Sequence, residues 1–349
     1  MTRAPGNAAL TPFGTTIFAT MSALAVEHDA INLGQGFPDT DGPSEVLEAA
    51  VAAIRGGANQ YPPGAGVPEL LDAIAAHQAR FWGVSVDPRT EVLVTVGATE
   101  AIAATVLALV APGDEVVTFE PYYDSYAATI ALAGGVRRTS VLRFPDFAVD
   151  ESSLRAAFSS RTRMVLLNTP HNPTGKVFTR EEIELICELA RENDAWVVTD
   201  EVYEHLLFDG GQHVAVASLP GMAERTLTIS SAGWKVGWVS GPAAAVAAVR
   251  AVKQFLTYVG SGPFQPAVAV GLGLPDSVFT GLARSLQGKR DRLVAGLRGA
   301  GLAVSVPAGG YFVVADAASL GAVDGLTFCH ELPVRSGVVG VPVSVFHDD

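Results

Sequence analysis

From about residue 91 onward, short apolar segments alternate with helical segments, and this alternation constrains the fold more than any other feature of the chain. The apolar segments are EVLVTVG, DEVVTFEP, VRRTSVL, RMVLLNTP, AWVVTDEVY, RTLTISS and VGWVSG. Nearly continuous apolar strands separated by helices are typical of a mostly parallel sheet that is covered on both faces. The sequence therefore predicts an α/β fold.

The length of the chain predicts more than one domain. A chain of 349 residues exceeds the size at which a single hydrophobic core stops growing. We expect an N-terminal arm and small-domain segment at residues 1–44, a large domain with the sheet at 45–270, and a smaller α+β C-terminal domain at 271–349. In that last domain, the segment AVSVPAGGYFVVADA predicts a strand.

Composition excludes several classes of function. The net charge of −13 argues against binding to nucleic acid or to an anionic membrane surface. No apolar stretch approaches the roughly 18 residues of a membrane span, and no signal peptide is recognisable at the N-terminus. Cys187 and Cys329 follow no metal-ligand spacing. We expect a soluble, cytoplasmic protein, and we predict no metal site.

Two neighbouring strands end in polar residues that core packing does not require. Asn168 ends MVLLN and is followed by Asn172, while Asp200 and Tyr203 end AWVVTDEVY. In an open α/β sheet, ligands bind outside the carboxyl ends of the strands, so these side chains should converge on one crevice. A buried carboxylate is costly without a cation or donor, and a protonated pyridine nitrogen is such a partner. The alternative for Asp200 is that it caps a turn.

Two further segments fall on the same edge. VTVGATEA is a strand, a glycine turn and a helix start, where the backbone N–H groups of Ala98 and Thr99 could bind an anion. An ordinary turn capped by Thr99 is the alternative. EPYYDSY places three tyrosines after the next strand, and one of them could stack on a flat heterocycle or simply pack in the core. Together these segments predict a site for pyridoxal 5′-phosphate.

The segments NTPHNPTG and TDEVYEHL resemble those of the class I aminotransferases, the fold-type I enzymes that use pyridoxal phosphate. The resemblance extends over essentially the whole chain through INLGQGFPDTDGP, NQYPPG, VTVGATEAI, EPYYDSY, GWKVGW and FQPAVAV. It covers the branch of the kynurenine and glutamine–phenylpyruvate aminotransferases. The resemblance is strongest for the actinobacterial N-succinyldiaminopimelate aminotransferases of lysine biosynthesis.

The resemblance implies roles for the residues around the cofactor ring. Tyr123 would stack on the pyridine ring, and Asp200 would bind the ring nitrogen. Asn172 and Tyr203 would hydrogen-bond to the ring oxygen O3′, with Asn168 nearby. Asp200 and Tyr203 would thus act directly in catalysis.

The resemblance also implies roles at the phosphate and at the substrate. Ala98, Thr99, Ser231 and Lys235 would contact the phosphate, and Tyr61 would reach it from the partner subunit of a homodimer. The backbone of Gly36 and the side chain of Asn172 would meet the substrate.

The chain departs from the family pattern at the lysine that forms the Schiff base with the cofactor. The family has Ser-x-x-Lys, several further residues and then Gly-Trp-Lys, whereas TISSA here runs straight into GWKVGW. The context of Lys235 matches the phosphate-contacting lysine, so a loop of about seven residues with the catalytic lysine is missing between Ala232 and Gly233. Either the natural protein contains this loop and the present 349 residues lack it, or the chain is truncated and catalytically inactive. A separation of Ala232 from Gly233 well beyond ~1.33 Å would favour the first explanation.

The second departure is at the end of the sequence. The chain stops at VSVFHDD, where the family continues with a strand that carries the arginine for the substrate α-carboxylate. A bidentate arginine is the expected group for such carboxylates.

The implied function is transfer of an amino group from glutamate to an α-keto acid, by resemblance N-succinyl-2-amino-6-ketopimelate. Within the same class, the alternatives are a kynurenine or aromatic aminotransferase and a cysteine-conjugate β-lyase. The alternative from another class is a catalytically inactive aminotransferase-like protein that binds pyridoxal phosphate or a partner.

Overall fold

The computed structural model describes residues 6–36 and 40–348. The α-helices are α1 Ile17–Glu27, α2 Ser44–Arg55, α3 Pro68–His77, α4 Gly97–Leu109, α5 Asp124–Leu132, α6 Glu151–Ala157, α7 Arg180–Glu192, α8 Ala243–Lys253, α9 Phe264–Leu272, α10 Asp276–Gly299 and α11 Gly325–Ser336. The strands are β1 Ile31–Asn32, β2 Val92–Val96, β3 Glu115–Glu120, β4 Val136–Val141, β5 Thr162–Asn168, β6 Trp196–Asp200, β7 Thr226–Ala232, β8 Val236–Ser240, β9 Ala303–Ser305, β10 Val314–Asp316 and β11 Val338–Val339.

The central sheet has seven strands in the order β2-β8-β7-β6-β5-β3-β4. Neighbours from β7 to β4 run parallel, whereas β8 runs antiparallel to both β7 and β2. Because strands 3, 5, 6 and 7 are parallel, their carboxyl ends lie at one edge. The predicted α/β fold with a mostly parallel sheet is confirmed.

Helices cover both faces of the sheet because β5 and β6 are apolar on both sides. Met164, Leu166 and Val198 pack with α4, α5 and α8 in one core. Val165 and Val197 pack with α6 and α7 in the other. Alternate residues of one strand thus belong to different cores. The same alternation determines on which face of the sheet a polar side chain at a strand end lies.

The C-terminal segment differs from the prediction in one respect. The segment AVSVPAGGYFVVADA was predicted to form one strand, but it contains two short antiparallel strands, β9 and β10, joined by a loop. Two glycines and a proline in the middle of the segment interrupt the extended pattern. β1 and β11 form a separate parallel pair, so the first and last parts of the described chain meet. The proposed domain boundaries stay a prediction.

In the described part of the chain, no single helix is long and apolar enough to cross a membrane. Only α9 and α10 taken together, across a bend of 90°, meet the criteria of length and composition.

Candidate active site

Asp200 lies at the carboxyl end of β6 with its side chain buried. Its Oδ2 accepts a hydrogen bond from the Tyr126 hydroxyl at 2.7 Å, and its Oδ1 accepts one from the Val202 backbone N–H at 3.3 Å. Burial raises the pKa of Asp200 from 3.8 to about 6, although these two hydrogen bonds act in the opposite direction. The site therefore has a buried acid whose ionised form lacks a cationic partner among the described residues.

Asn168 fixes the turn that follows β5. Its Nδ2 donates to the Asp200 carbonyl oxygen at 2.8 Å, and its Oδ1 accepts from the Asn172 backbone N–H at 2.6 Å. The register of the two strands pairs Asn168 with Asp200. Asn168 is therefore a buried link between the strand ends, and it leaves the side chain of Asn172 half-buried at the edge.

Tyr203 follows β6 by three residues and stands beside Asn172. Burial raises the pKa of the Tyr203 phenol, the negative charge of Asp200 adds to this effect, and a hydrogen bond with Asn172 opposes it. The Tyr203 ring meets the Tyr311 ring edge to face at 5.4 Å. Gly36 lies against the same Tyr311, because a Cβ on Gly36 would be 3.1 Å from the Tyr311 Cβ. The structure thus brings Gly36 to the site through Tyr311.

Tyr123 and Thr99 meet above the N-terminus of α4. Burial raises the pKa of Tyr123, and a hydrogen bond with Thr99 opposes the shift. Tyr123 also packs edge to face on Tyr126 at 5.6 Å. Ala98 is half-buried and Thr99 is exposed, and the first N–H groups of a helix, which have no partner within the helix, favour an anion.

Gly237 sets the position of the helix end against the sheet. A Cβ at Gly237 would lie 2.7 Å from the Ala98 backbone nitrogen, which is closer than real Cβ atoms approach. Only glycine at this point of β8 lets the N-terminus of α4 lie directly on the strand. The second glycine of GWKVGW therefore has a structural role.

The segment from Ala232 to Val236 is a tight hairpin. β7 and β8 pair up to Ala232 and Val236, and Gly233–Lys235 form the connection. Trp234 and Lys235 both have a φ of 56°, the left-handed conformation that costs energy for a bulky residue. In this structure Ala232 and Gly233 are consecutive residues of the hairpin, and the location of the catalytic lysine stays a prediction.

Lys235 is exposed beside the helix end, with its Cβ 3.7 Å from the position of a Cβ on Gly97. Ser231, the other predicted phosphate residue, is half-buried and pairs with Gly237 in the sheet. The other lysines are engaged elsewhere or lie on α10: Lys176 pairs with Glu182 at 2.7 Å, Lys253 donates to the Tyr258 carbonyl oxygen at 2.5 Å, and Lys289 lies in α10. Lys235 is the lysine that the structure places beside Gly97, at the N-terminus of α4, whereas Lys253 ends α8 and faces Glu100 farther along α4.

Tyr61 is not brought into the site of its own chain. Its side chain is 84% exposed and touches the Tyr258 ring edge to face at 6.4 Å. This exposure agrees with a role in a second subunit, which stays a prediction.

Two site residues were missed by sequence reasoning. EPYYDSY was expected to supply a stacking tyrosine, but its last member, Tyr126, is instead the hydrogen-bond partner of Asp200. Its position three residues after Tyr123, one helical turn on, could have indicated this. No sequence pattern indicated Tyr311, because it lies in a loop after β9, far in sequence from the other residues of the site.

The residues of the candidate site fit both the ring and the phosphate group of pyridoxal phosphate. The buried Asp200 carboxyl would gain a cationic partner from the pyridinium nitrogen, and the end of α4 with Lys235 would hold the phosphate. A buried acid, flanking tyrosines and a helix N-terminus at the carboxyl edge of an α/β sheet define a fold-type I pyridoxal-phosphate enzyme.

Comparison with known proteins identifies the family. The family model "Aminotransferase class I and II" matches residues 28–347. The chain is 53% identical to the probable N-succinyldiaminopimelate aminotransferase DapC of Mycobacterium tuberculosis, over 97% of this chain and 88% of that protein. It is 41% identical to the methionine aminotransferase of Escherichia coli, over 97% and 90%. The solved structure of the M. tuberculosis N-succinyldiaminopimelate aminotransferase superposes with a TM-score of 0.96, at 53% identity, over 99% of this chain and 92% of that one.

The chain belongs to the class I and II aminotransferases. Pyridoxal phosphate is the cofactor of this family, and the predicted class of enzyme is confirmed.

Proposed function

We propose that this aminotransferase moves an amino group from glutamate to N-succinyl-2-amino-6-ketopimelate, in the cytoplasmic synthesis of diaminopimelate and lysine. The assignment of this substrate rests on the 53% identity, over nearly the whole chain, to a protein named for that activity.

The residues of the site divide the work of holding and activating the cofactor. Bound pyridoxal phosphate supplies a protonated ring that withdraws electrons from the carbon whose proton is transferred. Asp200 would keep the proton on the ring nitrogen, and Asn172 and Tyr203 would hydrogen-bond to the ring oxygen. Tyr126 keeps the Asp200 carboxyl oriented through its 2.7 Å hydrogen bond. Tyr123 would cover the ring, while Ala98, Thr99, Ser231 and Lys235 would hold the phosphate. The substrate would meet Gly36 and Asn172.

Half-reaction measurements test the substrate. Protein loaded with pyridoxal phosphate is mixed separately with succinyldiaminopimelate, glutamate, methionine and kynurenine, and the cofactor absorbance is followed. We expect glutamate and succinyldiaminopimelate to change the spectrum at concentrations at which kynurenine and methionine do not. A change with kynurenine alone would mean that the aromatic alternative is correct. A bound cofactor that responds to no amino acid would identify a catalytically inactive member of the family.

The missing lysine needs a separate experiment. Intact mass spectrometry of the natural protein distinguishes the two explanations: a mass above 36.2 kDa indicates additional residues, and a mass of 36.2 kDa indicates a chain without the loop. Borohydride reduction after addition of the cofactor, followed by peptide mapping, then locates any lysine bonded to it. We expect Lys235 to stay unlabelled, because it contacts the phosphate; labelling at Lys235 would refute that role.

We also propose that the protein is a homodimer in which Tyr61 reaches the site of the partner subunit. Tyr61 and Phe255 are each 84% exposed, and Tyr258 and Leu256 are about half exposed beside them. A cluster of large exposed apolar side chains is typical of an interaction surface.

Light scattering tests the assembly. We expect twice the chain mass for the wild type, and a monomer with weaker cofactor binding for Phe255→Ser combined with Tyr61→Ser. Val323→Ser is the control, because Val323 is 97% exposed but lies in the C-terminal segment. A monomeric wild type, or a dimer that survives the double substitution, would contradict the proposed interface.

A further inference from the structure

A second cluster of buried polar side chains lies on the opposite side of the β6 end from Asp200. Thr199 and Glu201 share that side, because the Thr199 hydroxyl donates to Glu201 Oε1 at 3.1 Å. We call this group the histidine–glutamate cluster; its members are His77, Glu201, Glu204, His205 and His213. All of them are buried except His205, which is half-buried.

Two imidazoles of the cluster face each other. His77 Nε2 and His205 Nε2 are 2.8 Å apart, at the end of α3 and in the turn after β6. Burial lowers the pKa of His77 to about 4 and that of His205 to about 3. An imidazole binds a metal through a ring nitrogen that carries no proton, and a ring nitrogen of each residue lies within 4.8 Å of a Glu204 carboxylate oxygen.

Glu204 lies between this pair and the rest of the cluster. Its side chain is buried, Oε1 accepts a long hydrogen bond of 3.4 Å from the Ser230 hydroxyl, and Oε2 has no partner of normal geometry among the described residues. Burial raises the pKa of Glu204 and the facing Trp82 indole opposes that shift, but the indole N–H also lacks a partner of normal geometry. A buried carboxylate oxygen without a donor is costly, so this atom needs an explanation.

Glu201 and His213 complete the cluster. His213 Nε2 and Glu201 Oε2 are 2.8 Å apart, and both side chains are fully buried. Glu201, Glu204 and His213 offer ligand atoms that all lie within 4.8 Å of one another, and so do His77, Glu204 and His205. Glu204 belongs to both sets, so the five side chains surround one region with Glu204 at its centre.

We propose that His77, His205 and Glu204 bind one divalent transition-metal ion of the zinc class, with Glu201 and His213 as the outer pair. Imidazole nitrogen and carboxylate oxygen are the ligands that zinc accepts in a tetrahedral site. With Zn–N distances of about 2.0–2.1 Å, two tetrahedral ligand nitrogens stand about 3.3 Å apart. The observed pair at 2.8 Å would have to open by roughly 0.5 Å.

The position of the cluster gives such an ion a structural role. A cavity of about 420 Å³ lies next to the cluster and is lined in part by Phe81, Trp82 and His213. The ligands come from α3 and from the turn after β6. An ion between them would fasten α3 to the strand that carries Asp200, and we expect it to stabilise the fold without acting on the substrate.

Metal analysis of the full-length protein tests the proposal. The protein, with and without pyridoxal phosphate, is stripped with a chelator, dialysed against ZnCl₂ or CoCl₂, and measured by elemental analysis, by titration and by visible absorption of the cobalt form. We expect about one zinc ion per chain and the strong visible bands of tetrahedral cobalt in both preparations. His205→Gln should lower the zinc affinity at least tenfold, and Glu204→Gln should do the same.

His330→Gln is the matched control, because His330 is an exposed histidine of α11 outside the cluster; it should keep the wild-type stoichiometry and affinity. Circular dichroism at 25 °C verifies that each variant is folded, and a variant that fails this check is replaced by His205→Asn. Wild-type protein that binds no more zinc than the combined His205→Gln and Glu204→Gln variant would overturn the proposal. In that case the pair is an imidazole–imidazole hydrogen bond without metal. Unchanged affinity in both single variants would overturn it as well.

Discussion

Two buried polar sites lie on opposite sides of one strand end, and they differ in how they are built. The cofactor cradle draws its residues from the ends of neighbouring strands and from the turns and helix starts that follow those strands; its members are Thr99, Tyr123, Tyr126, Asn168, Asn172, Asp200 and Tyr203. The histidine–glutamate cluster draws its residues from a helix end, a turn and a loop. Asp200 and Glu201 are adjacent in sequence, yet each belongs to a different site.

The two central carboxyl groups also differ in their hydrogen-bond partners. Asp200 accepts hydrogen bonds from Tyr126 and from the Val202 backbone, and although burial raises its pKa to about 6, Asp200 is ionised at pH 7.5. Glu204 accepts one long hydrogen bond of 3.4 Å from Ser230, and its Oε2 has no partner of normal geometry among the described residues. Burial and the neighbouring Glu201 raise the pKa of Glu204. The same strand end thus carries one acid whose oxygens both have donors and one acid with an oxygen left for a cation.

Asp200→Asn should have the largest effect, and it should be confined to the cradle. We expect the half-reaction rate to fall by about 10²–10³-fold, because an amide cannot keep the ring nitrogen protonated. Zinc binding should be unchanged. Stopped-flow absorbance of the loaded protein measures the rate. A rate within threefold of the wild type would show that Asp200 does not serve the ring nitrogen.

The same substitution should stabilise the cofactor-free protein. Since the folded pKa of about 6 lies above the ordinary 3.8, Asp200 destabilises the fold increasingly as pH rises from about 4 to about 6, and the full cost remains above that range. Asp200→Asn should remove up to about 3 kcal/mol of this cost at pH 7.5 and nothing below pH 4. Urea unfolding at both pH values measures it, and a loss of stability at pH 7.5 would contradict the assigned pKa.

The cradle could be predicted from sequence because its residues follow apolar strands, where a polar side chain has no packing reason to occur. Asn168 and Asp200 are of this kind, and parallel strand ends place them together. The histidine–glutamate cluster could not be predicted, because His77, His205 and His213 lie in three separate segments with no metal-ligand spacing. Their meeting depends on how α3 packs beside β6. The single predicted strand after α10 failed for a related reason, since only tertiary pairing separates β9 from β10.

Gly237→Ala should have the next largest effect. The new methyl group would lie 2.7 Å from the Ala98 nitrogen and should push the start of α4 off β8, at a cost of about 1–3 kcal/mol in the free energy of unfolding. Binding of pyridoxal phosphate should weaken along with it, because the phosphate depends on that helix end. Gly233→Ala is the matched control, since a Cβ at Gly233 meets nothing within 4 Å. Equal unfolding free energies for the two variants would show that the close approach does not matter.

Two substitutions at Lys235 should separate the effect of its charge on cofactor binding from the effect of backbone strain on stability. Lys235→Ala and Lys235→Gly both remove the positive charge beside α4, so both should weaken cofactor binding to a similar degree. Only glycine relieves the left-handed conformation at φ 56°, so Lys235→Gly should be more stable than Lys235→Ala by about 1 kcal/mol. Thermal unfolding and fluorescence titration with pyridoxal phosphate measure the two quantities. If alanine and glycine give the same stability, the hairpin is not strained at this position.

Glu204→Gln should have the smallest effect in the absence of metal. Because burial raises the pKa of Glu204 and so disfavours its charged form, a neutral amide of nearly the same shape should not destabilise the fold in the presence of a chelator. With zinc present, the wild type should gain thermal stability and Glu204→Gln should not, since only the carboxylate can ionise and bind the ion. Asp200→Asn should retain the zinc-dependent gain in full. A large loss of stability for Glu204→Gln in chelator would contradict the raised pKa of Glu204, and the contrast between the two sites would then disappear.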